Sequence, residues 1–121
     1  MEPVLQSILI NTYNPDNQLR SQAEEQLNHF LLTSGAFITL LNYVGNVNNH
    51  RDLRQATSIL IKNKMRDFWS DDRPAYMLTL DEKESVKSML ISILLVEMDN
   101  SIRGLLAESI RIVSEADFPD R

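Results

Sequence analysis

Apolar side chains recur at helical spacing along most of the chain, and turn-forming residues interrupt this pattern at intervals. The interruptions lie at Asn14-Pro15-Asp16, Thr33-Ser34-Gly35 and Asn46–Asn49, and the longest runs from Ser70 to Met77 and holds Pro74. Six helices are predicted, whose apolar faces include Leu5 and Ile8, Leu19 and Ala23, Phe37 and Leu40, Leu53 and Ala56, Val86 and Met89, and Ile102 and Leu106. The pattern therefore predicts an all-α chain with mostly short links.

Polar residues stand where several of these helices should begin. Asp16 is a good N-cap for the second helix, and Asp99-Asn100 offers a cap for the sixth. Thr79 and Glu82 have the spacing of a capping box, in which two side chains satisfy each other's backbone amides. These signals fix the predicted helix starts independently of the apolar pattern.

An internal repeat groups the six helices into pairs. The second helix of each pair opens with an aliphatic residue followed by arginine, at Leu19-Arg20, Leu53-Arg54 and Ile102-Arg103. The spacings bracket the roughly 40–47 residues of HEAT and armadillo arrays. We therefore predict a HEAT-repeat (alpha-alpha superhelix) solenoid of three antiparallel helix pairs, at about residues 3–32, 35–69 and 79–117. An array also needs a polar cap at its end, and the chain stops at Phe118-Pro119-Asp120-Arg121 with no capping helix, so we expect it to be a piece of a longer solenoid.

Composition narrows the possible functions. The 121 residues contain no cysteine, which excludes disulfides and Cys-based zinc sites. The net charge of −5 argues against direct nucleic-acid binding, which needs a basic surface, and is compatible with basic protein partners or with simple solubility. No apolar run is long enough for membrane insertion, and no nucleotide-binding, metalloprotease, hydrolase or EF-hand motif occurs. The sequence thus predicts a binding protein without catalytic residues, cofactor or metal.

Three groups of residues, in order, carry a family resemblance that spans nearly the whole chain. They are Ala23-Glu24-Glu25-Gln26-Leu27, then Arg54-Gln55-Ala56 with Leu60-Ile61-Lys62-Asn63 and Phe68-Trp69, and finally Ser114 to Arg121. This ordered set resembles the N-terminal domain of the importin-beta (karyopherin-beta) superfamily of nuclear transport receptors. The Lys-Asn pair followed by Trp, with the Asp-Phe-Pro ending, is most similar to the importin-seven/eight or exportin-two branch.

The resemblance implies a receptor segment that binds the small GTPase Ran in its GTP form, for nucleocytoplasmic protein import. The same Ran-binding end of an export receptor is an alternative, and a helical-repeat scaffold or adaptor without a GTPase partner is another. Cargo protein and nucleoporins would bind through later repeats. The protein would shuttle between nucleus and cytoplasm through the nuclear pore.

The fourth helix carries the main candidate binding residues. At 100° per residue, one polar stripe collects Gln55, Ser58, Lys62 and Arg66. The stripe is predicted to face solvent, away from a core assigned to Leu53, Ala56 and Leu60. A solvated helix face is the other interpretation of this stripe; the resemblance favours binding and implies that Lys62 and Asn63 face Ran. Aligning the second helix with the fourth adds Gln22, Glu25 and His29 as candidate Ran-binding residues.

Overall fold

A computed structural model of the chain describes residues 2–33, 35–69 and 79–117. These residues form helices and connecting turns and contain no strand. The helices are α1 (Glu2–Asn11), α2 (Asn17–Leu31), α3 (Ala36–Gly45), α4 (Arg51–Trp69), α5 (Leu80–Val96) and α6 (Asn100–Asp117). The loop predicted for residues 70–77 and the Phe118-Pro119 end of the resemblance lie outside the described residues.

The predicted caps hold the starts of three helices. The Asp16 carboxylate accepts hydrogen bonds from the backbone N–H of Gln18 (2.9 Å) and of Leu19 (3.2 Å). Thr79 accepts from the N–H of Glu82 at 3.1 Å, and Asp99 accepts from Ile102 at 3.0 Å. These bonds satisfy amides that have no partner inside their own helix, which confirms the helix starts expected from the sequence.

The starts of helices α4 and α3 are held by side chains that the sequence analysis did not identify as caps. Helix α4 is capped by His50, whose Nδ1 accepts from the N–H of Asp52 at 3.1 Å. The Glu82 carboxylate accepts from the N–H of Gly35 at 3.1 Å, a residue 47 positions earlier. Gly35 has a φ of 78°, a left-handed conformation that glycine adopts readily. A cap at the start of α5 thereby also fastens the start of α3.

The helices stack as three pairs, α1 with α2, α3 with α4 and α5 with α6. Helix α3 packs beside α5, and α4 packs beside α6. One continuous core runs between the first and second helices of the pairs and includes Leu5, Leu31, Phe37, Ile61 and Leu106. The prediction of an all-α stack of three helix pairs is confirmed. Among the described helices, none is long and apolar enough to span a membrane.

The repeated arginine performs one structural task in each pair. It reaches back from the start of the second helix to backbone carbonyls at the end of the first helix or in the link that follows it. The acceptors are Asn14 for Arg20 (3.3 Å), Val44 for Arg54 (2.7 Å), and Leu94 and Glu97 for Arg103 (3.3 and 2.8 Å). Carbonyls at a helix C-terminus lack intrahelical partners and carry partial negative charge, so a guanidinium fits there. The arginine that marks the repeat therefore ties together the two helices of each pair.

The second and third pairs are joined by ion pairs that the first junction does not have among the described residues. Arg54, which is 6% exposed, forms a buried ion pair with Glu97, which is 5% exposed. Arg51 pairs with Asp99 at 2.7 Å at the edge of the same junction. Between α2 and α4, the side chains that the structure describes make one polar contact, a 3.5 Å hydrogen bond from Lys64 to Asn28. Helix α4 accordingly packs far more extensively on α6 than on α2.

Candidate functional site

Helix α2 presents its three candidate residues to solvent. Gln22, Glu25 and His29 are exposed, and they lie opposite the buried Ala23 and Leu27. Their spacing of three and four residues keeps them on one face of the helix. Within the described structure no hydrogen bond or ion pair occupies these side chains, so all three are available to a partner.

Helix α4 presents part of its predicted stripe. Asn63 is exposed and Lys62 is half-buried, and no described residue pairs with either side chain. Gln55 is half-buried and accepts a hydrogen bond from Arg51. The side chain of Arg66 lies outside the described residues. Of the candidates on this helix, Lys62 and Asn63 therefore have the polar groups free for a partner.

The expectation that Ser58 faces solvent is wrong. Its side chain is 1% exposed, and its hydroxyl donates to the backbone carbonyl of Arg54 at 2.9 Å. The cause is the close packing of α6, which covers the side of α4 that carries Ser58, Ile61 and Met65. Ser58 is thus a small residue at a helix–helix contact, where it has no surface to offer a partner.

The core side of α4 agrees only in part with the prediction, because Leu53 and Leu60 pack against the core but are not the most buried positions of the helix. Leu53, Ala56 and Leu60 are half-buried, whereas the fully buried positions of the helix include Thr57 and Ile61. Ala56 and Leu60 face α2 across a cleft, and Thr57 and Ile61 belong to the side on which α3 and α6 pack. The helix therefore carries two partly apolar sides, and the sequence pattern did not distinguish the fully packed one.

The exposed and half-buried polar residues on the solvent side of the second helices form a surface that we call the second-helix wall. Its members on the first two second helices are Gln22, Glu25, His29, Gln55, Lys62 and Asn63. Helix α6 adds Glu108, Arg111 and Glu115, which sequence reasoning missed. Arg111 pairs with Glu108 and with Glu115 at 2.6 Å, and these neighbours raise its pKa. The Glu-Arg-Glu spacing of three and four residues is the signal that would have identified this group.

An ion pair lies beside the wall at the start of α6. The Arg51 guanidinium, with the backbone N–H of Ile102, holds the pKa of Asp99 well below its usual value, at about 2. Asp99 in turn raises the pKa of Arg51. Both groups are therefore charged at neutral pH, and Arg51 also holds Gln55 in place.

The chemistry of this wall suits protein recognition. It combines carboxylates, amides, a histidine, a lysine and an arginine on rigid helices, and such groups bind through hydrogen bonds and charge pairs. Across residues 2–33, 35–69 and 79–117, no group of three or more acidic, histidine or cysteine side chains is arranged to hold a metal ion.

Comparison with known proteins places this geometry in a family. The chain is 29% identical over 119 residues to Exportin-2 of Dictyostelium discoideum, covering 97% of this chain and 12% of that protein. It is 28% identical over 123 residues to the Probable importin-7 homolog of the same organism, covering 100% of this chain and 12% of that protein. It is 30% identical over 117 residues to the Importin-alpha re-exporter of Schizosaccharomyces pombe, covering 95% of this chain and 12% of that protein. The chain thus spans about 12% of the length of these relatives.

A solved structure shares the fold. The exportin Cse1 in its cargo-free, cytoplasmic state superposes with a TM-score of 0.82 at 21% identity, covering 98% of this chain and 13% of that one. This likeness shows the same stacked-helix architecture. Residues 23–96 match the Importin-beta N-terminal domain, which covers more than half of the chain and includes α3, α4, α5 and most of α2. The chain therefore belongs to the importin-beta N-terminal domain family.

Proposed function

We propose that this chain is the GTPase-binding end of a nuclear transport receptor and that its second-helix wall binds Ran in the GTP form. The observation that carries the proposal is the set of free polar side chains on α2 and α4, in a chain of the importin-beta N-terminal domain family. Rigid helices hold these groups in fixed positions, which limits the entropy lost on binding.

Lys62 and Asn63 are the central residues of the proposed contact. The Lys62 ammonium is a point charge suited to an acidic group, and the Asn63 amide offers donors and an acceptor to a partner backbone. Gln22, Glu25 and His29 extend the contact onto α2, and Gln55 and Arg66 extend it along α4. Ser58 has no place in it, because it is buried.

The names of the relatives include both importins and exportins, so the proposal covers transport in either direction. Cargo and nucleoporins would bind elsewhere on a longer solenoid, and the receptor would move between nucleus and cytoplasm through the nuclear pore. Exposed apolar side chains support such an extension. The end of α5 and its link to α6 expose Leu95 (75%), Val96 (75%) and Met98 (89%), side chains that a following helix pair could bury.

A pulldown of the chain with Ran loaded with GTP or GDP tests the proposal. We expect binding to the GTP form only, and we expect Lys62→Glu to weaken it by about tenfold or more, because a cation at the interface becomes an anion. Lys87→Glu on the outer helix α5 is the matched control and should leave binding unchanged. Thermal melts of both variants check that they fold. Equal binding of both nucleotide forms, or none, would favour a scaffold without a GTPase partner.

A further inference from the structure

A cleft of about 340 Å³ separates the middle of α2 from the middle of α4. Its walls and floor are apolar and comprise Leu9, Leu27, Ala56, Ile59 and Leu60. Its rim is polar and includes Tyr13, Glu24, Asn28, Asn63 and Lys64. The volume lies at the lower end of the range for small-molecule pockets, enough for one large side chain or two small ones.

The cleft exists because the first helix pair is fitted less tightly to the second than the second is to the third. Helix α4 packs extensively on α6, and on that side it buries Ser58, Ile61 and Met65 almost completely. Towards α2, it presents the small side chain of Ala56 and the half-buried Ile59 and Leu60. These apolar side chains offer few hydrogen bonds to water, so the floor of the cleft favours an apolar occupant.

The position of the cleft indicates the occupant. Asn63 belongs both to the rim of the cleft and to the second-helix wall. A protein that contacts α2 through Gln22 and Glu25 and also contacts α4 through Asn63 must cover the mouth between these helices. At such central positions, a large apolar side chain surrounded by polar contacts commonly supplies much of the binding energy.

The rim can also hold the backbone that carries such a side chain. Among the described residues, neither the Glu24 carboxylate nor the Asn63 amide has a hydrogen-bond partner. Asn63 can donate to a carbonyl and accept from an N–H, and Glu24 can accept from an N–H or pair with a cation. An apolar floor with free polar groups at its edge is complementary to an apolar residue in a protein segment.

We propose that this cleft is an anchoring pocket for one aliphatic or aromatic side chain of the GTPase bound on the second-helix wall. The inference rests on the proposed function and adds an apolar subsite, formed by Ala56, Ile59 and Leu60, to a contact otherwise made of polar groups. Partner binding would fill the cleft and clamp the first helix pair onto the second.

The absence of cysteine permits a direct test with a single introduced thiol. Ala56→Cys places the thiol in the cleft, and Ser92→Cys, at an exposed position of the first helix α5 and outside the second-helix wall, is the control. The rate of alkylation by iodoacetamide is measured with and without a saturating concentration of Ran-GTP. We expect the GTPase to slow alkylation at position 56 by about tenfold or more and to leave alkylation at position 92 unchanged.

A second pair of variants fills the cleft. Ala56→Leu should lower the affinity for Ran-GTP by about tenfold, because the leucine occupies the space of the anchor, whereas Ser92→Leu, at an exposed position of α5 outside the wall, should bind as the parent chain does. Thermal melts check that these variants fold. If Ala56→Leu fails to fold, Ile59→Ala, which removes part of the apolar lining of the cleft, should lower the affinity for Ran-GTP instead.

The outcomes separate the two proposals. If Ran-GTP binds the parent chain yet leaves the thiol at position 56 fully reactive, or binds Ala56→Leu with unchanged affinity, the anchoring pocket is refuted and the proposed function stands. If the parent chain shows no GTP-dependent binding, both the proposed function and the anchoring pocket are refuted. Protection that rises with the concentration of the chain alone would identify a second copy as the occupant and would also overturn the anchor.

Discussion

Removal of the Arg54 guanidinium should destabilise the stack more than any surface change. In Arg54→Ala, the Glu97 carboxylate, whose side chain is 5% exposed, loses its ion-pair partner, and the Val44 carbonyl loses a 2.7 Å hydrogen bond. Breaking a buried pair on one side costs about 3–5 kcal/mol, because the remaining charge stays buried without compensation. We therefore expect the free energy of unfolding to fall by about 4 kcal/mol.

Urea unfolding measures this loss. The chain has one tryptophan, Trp69, which is 2% exposed at the end of α4, and its fluorescence reports on the same helix that carries Arg54. With a denaturant slope of about 2 kcal/mol per molar urea, the expected loss moves the unfolding midpoint by about 2 M. Circular dichroism on the same samples checks that helix content and fluorescence are lost together.

Two further variants test whether burial of the Arg54–Glu97 ion pair causes this loss of stability. Arg51→Ala removes a neighbouring arginine whose partner is also acidic, but its side chain is 45% exposed, so water screens the pair and the midpoint should move much less. The double variant Arg54→Met with Glu97→Leu should recover most of the stability, because it leaves no buried charge. An Arg54→Ala loss below about 1 kcal/mol, or a double variant no better than the single one, would show that burial of this pair does not control the junction.

Other expectations concern pH and two glycines. The pKa of Asp99 is about 2 in the folded chain and about 3.9 in the unfolded chain. The ionised carboxylate therefore stabilises the fold above about pH 4, and this contribution is lost as the pH falls towards 2. Asp99→Asn should abolish this part of the pH dependence of the urea midpoint. Gly35→Ala should destabilise the chain by about 1 kcal/mol, because the residue has a φ of 78°. Gly104→Ala should raise the melting temperature, since Gly104 lies inside α6 with no atom within 4 Å of an added Cβ, and alanine is favoured there by about 1 kcal/mol. Melts of both glycine variants that shift in the same direction would contradict the conformational argument.

Local signals in the sequence determined the starts of three helices. Asp16, Thr79 and Asp99 cap helices where the sequence predicted them, because a cap depends on a few neighbouring residues and their backbone amides. The recurring arginine was likewise visible as a pattern. Its acceptor, the end of the preceding helix, is set by the short link within each pair.

By itself, the sequence therefore determined the helices, the caps of three of them, their grouping into pairs and the exposed face of α2, which packs mainly on one side. Tertiary structure alone decided the rotational setting of α4, because this helix is packed by α3 and α6 and, less closely, by α1. Ala56 and Leu60 on one side and Ile61 and Met65 on the other have similar apolar character, so periodicity did not separate cleft from core. Ser58 is buried and a cleft lies beside α2 because α4 packs closely on α6 and loosely on α2. No local sequence pattern encodes this difference in packing.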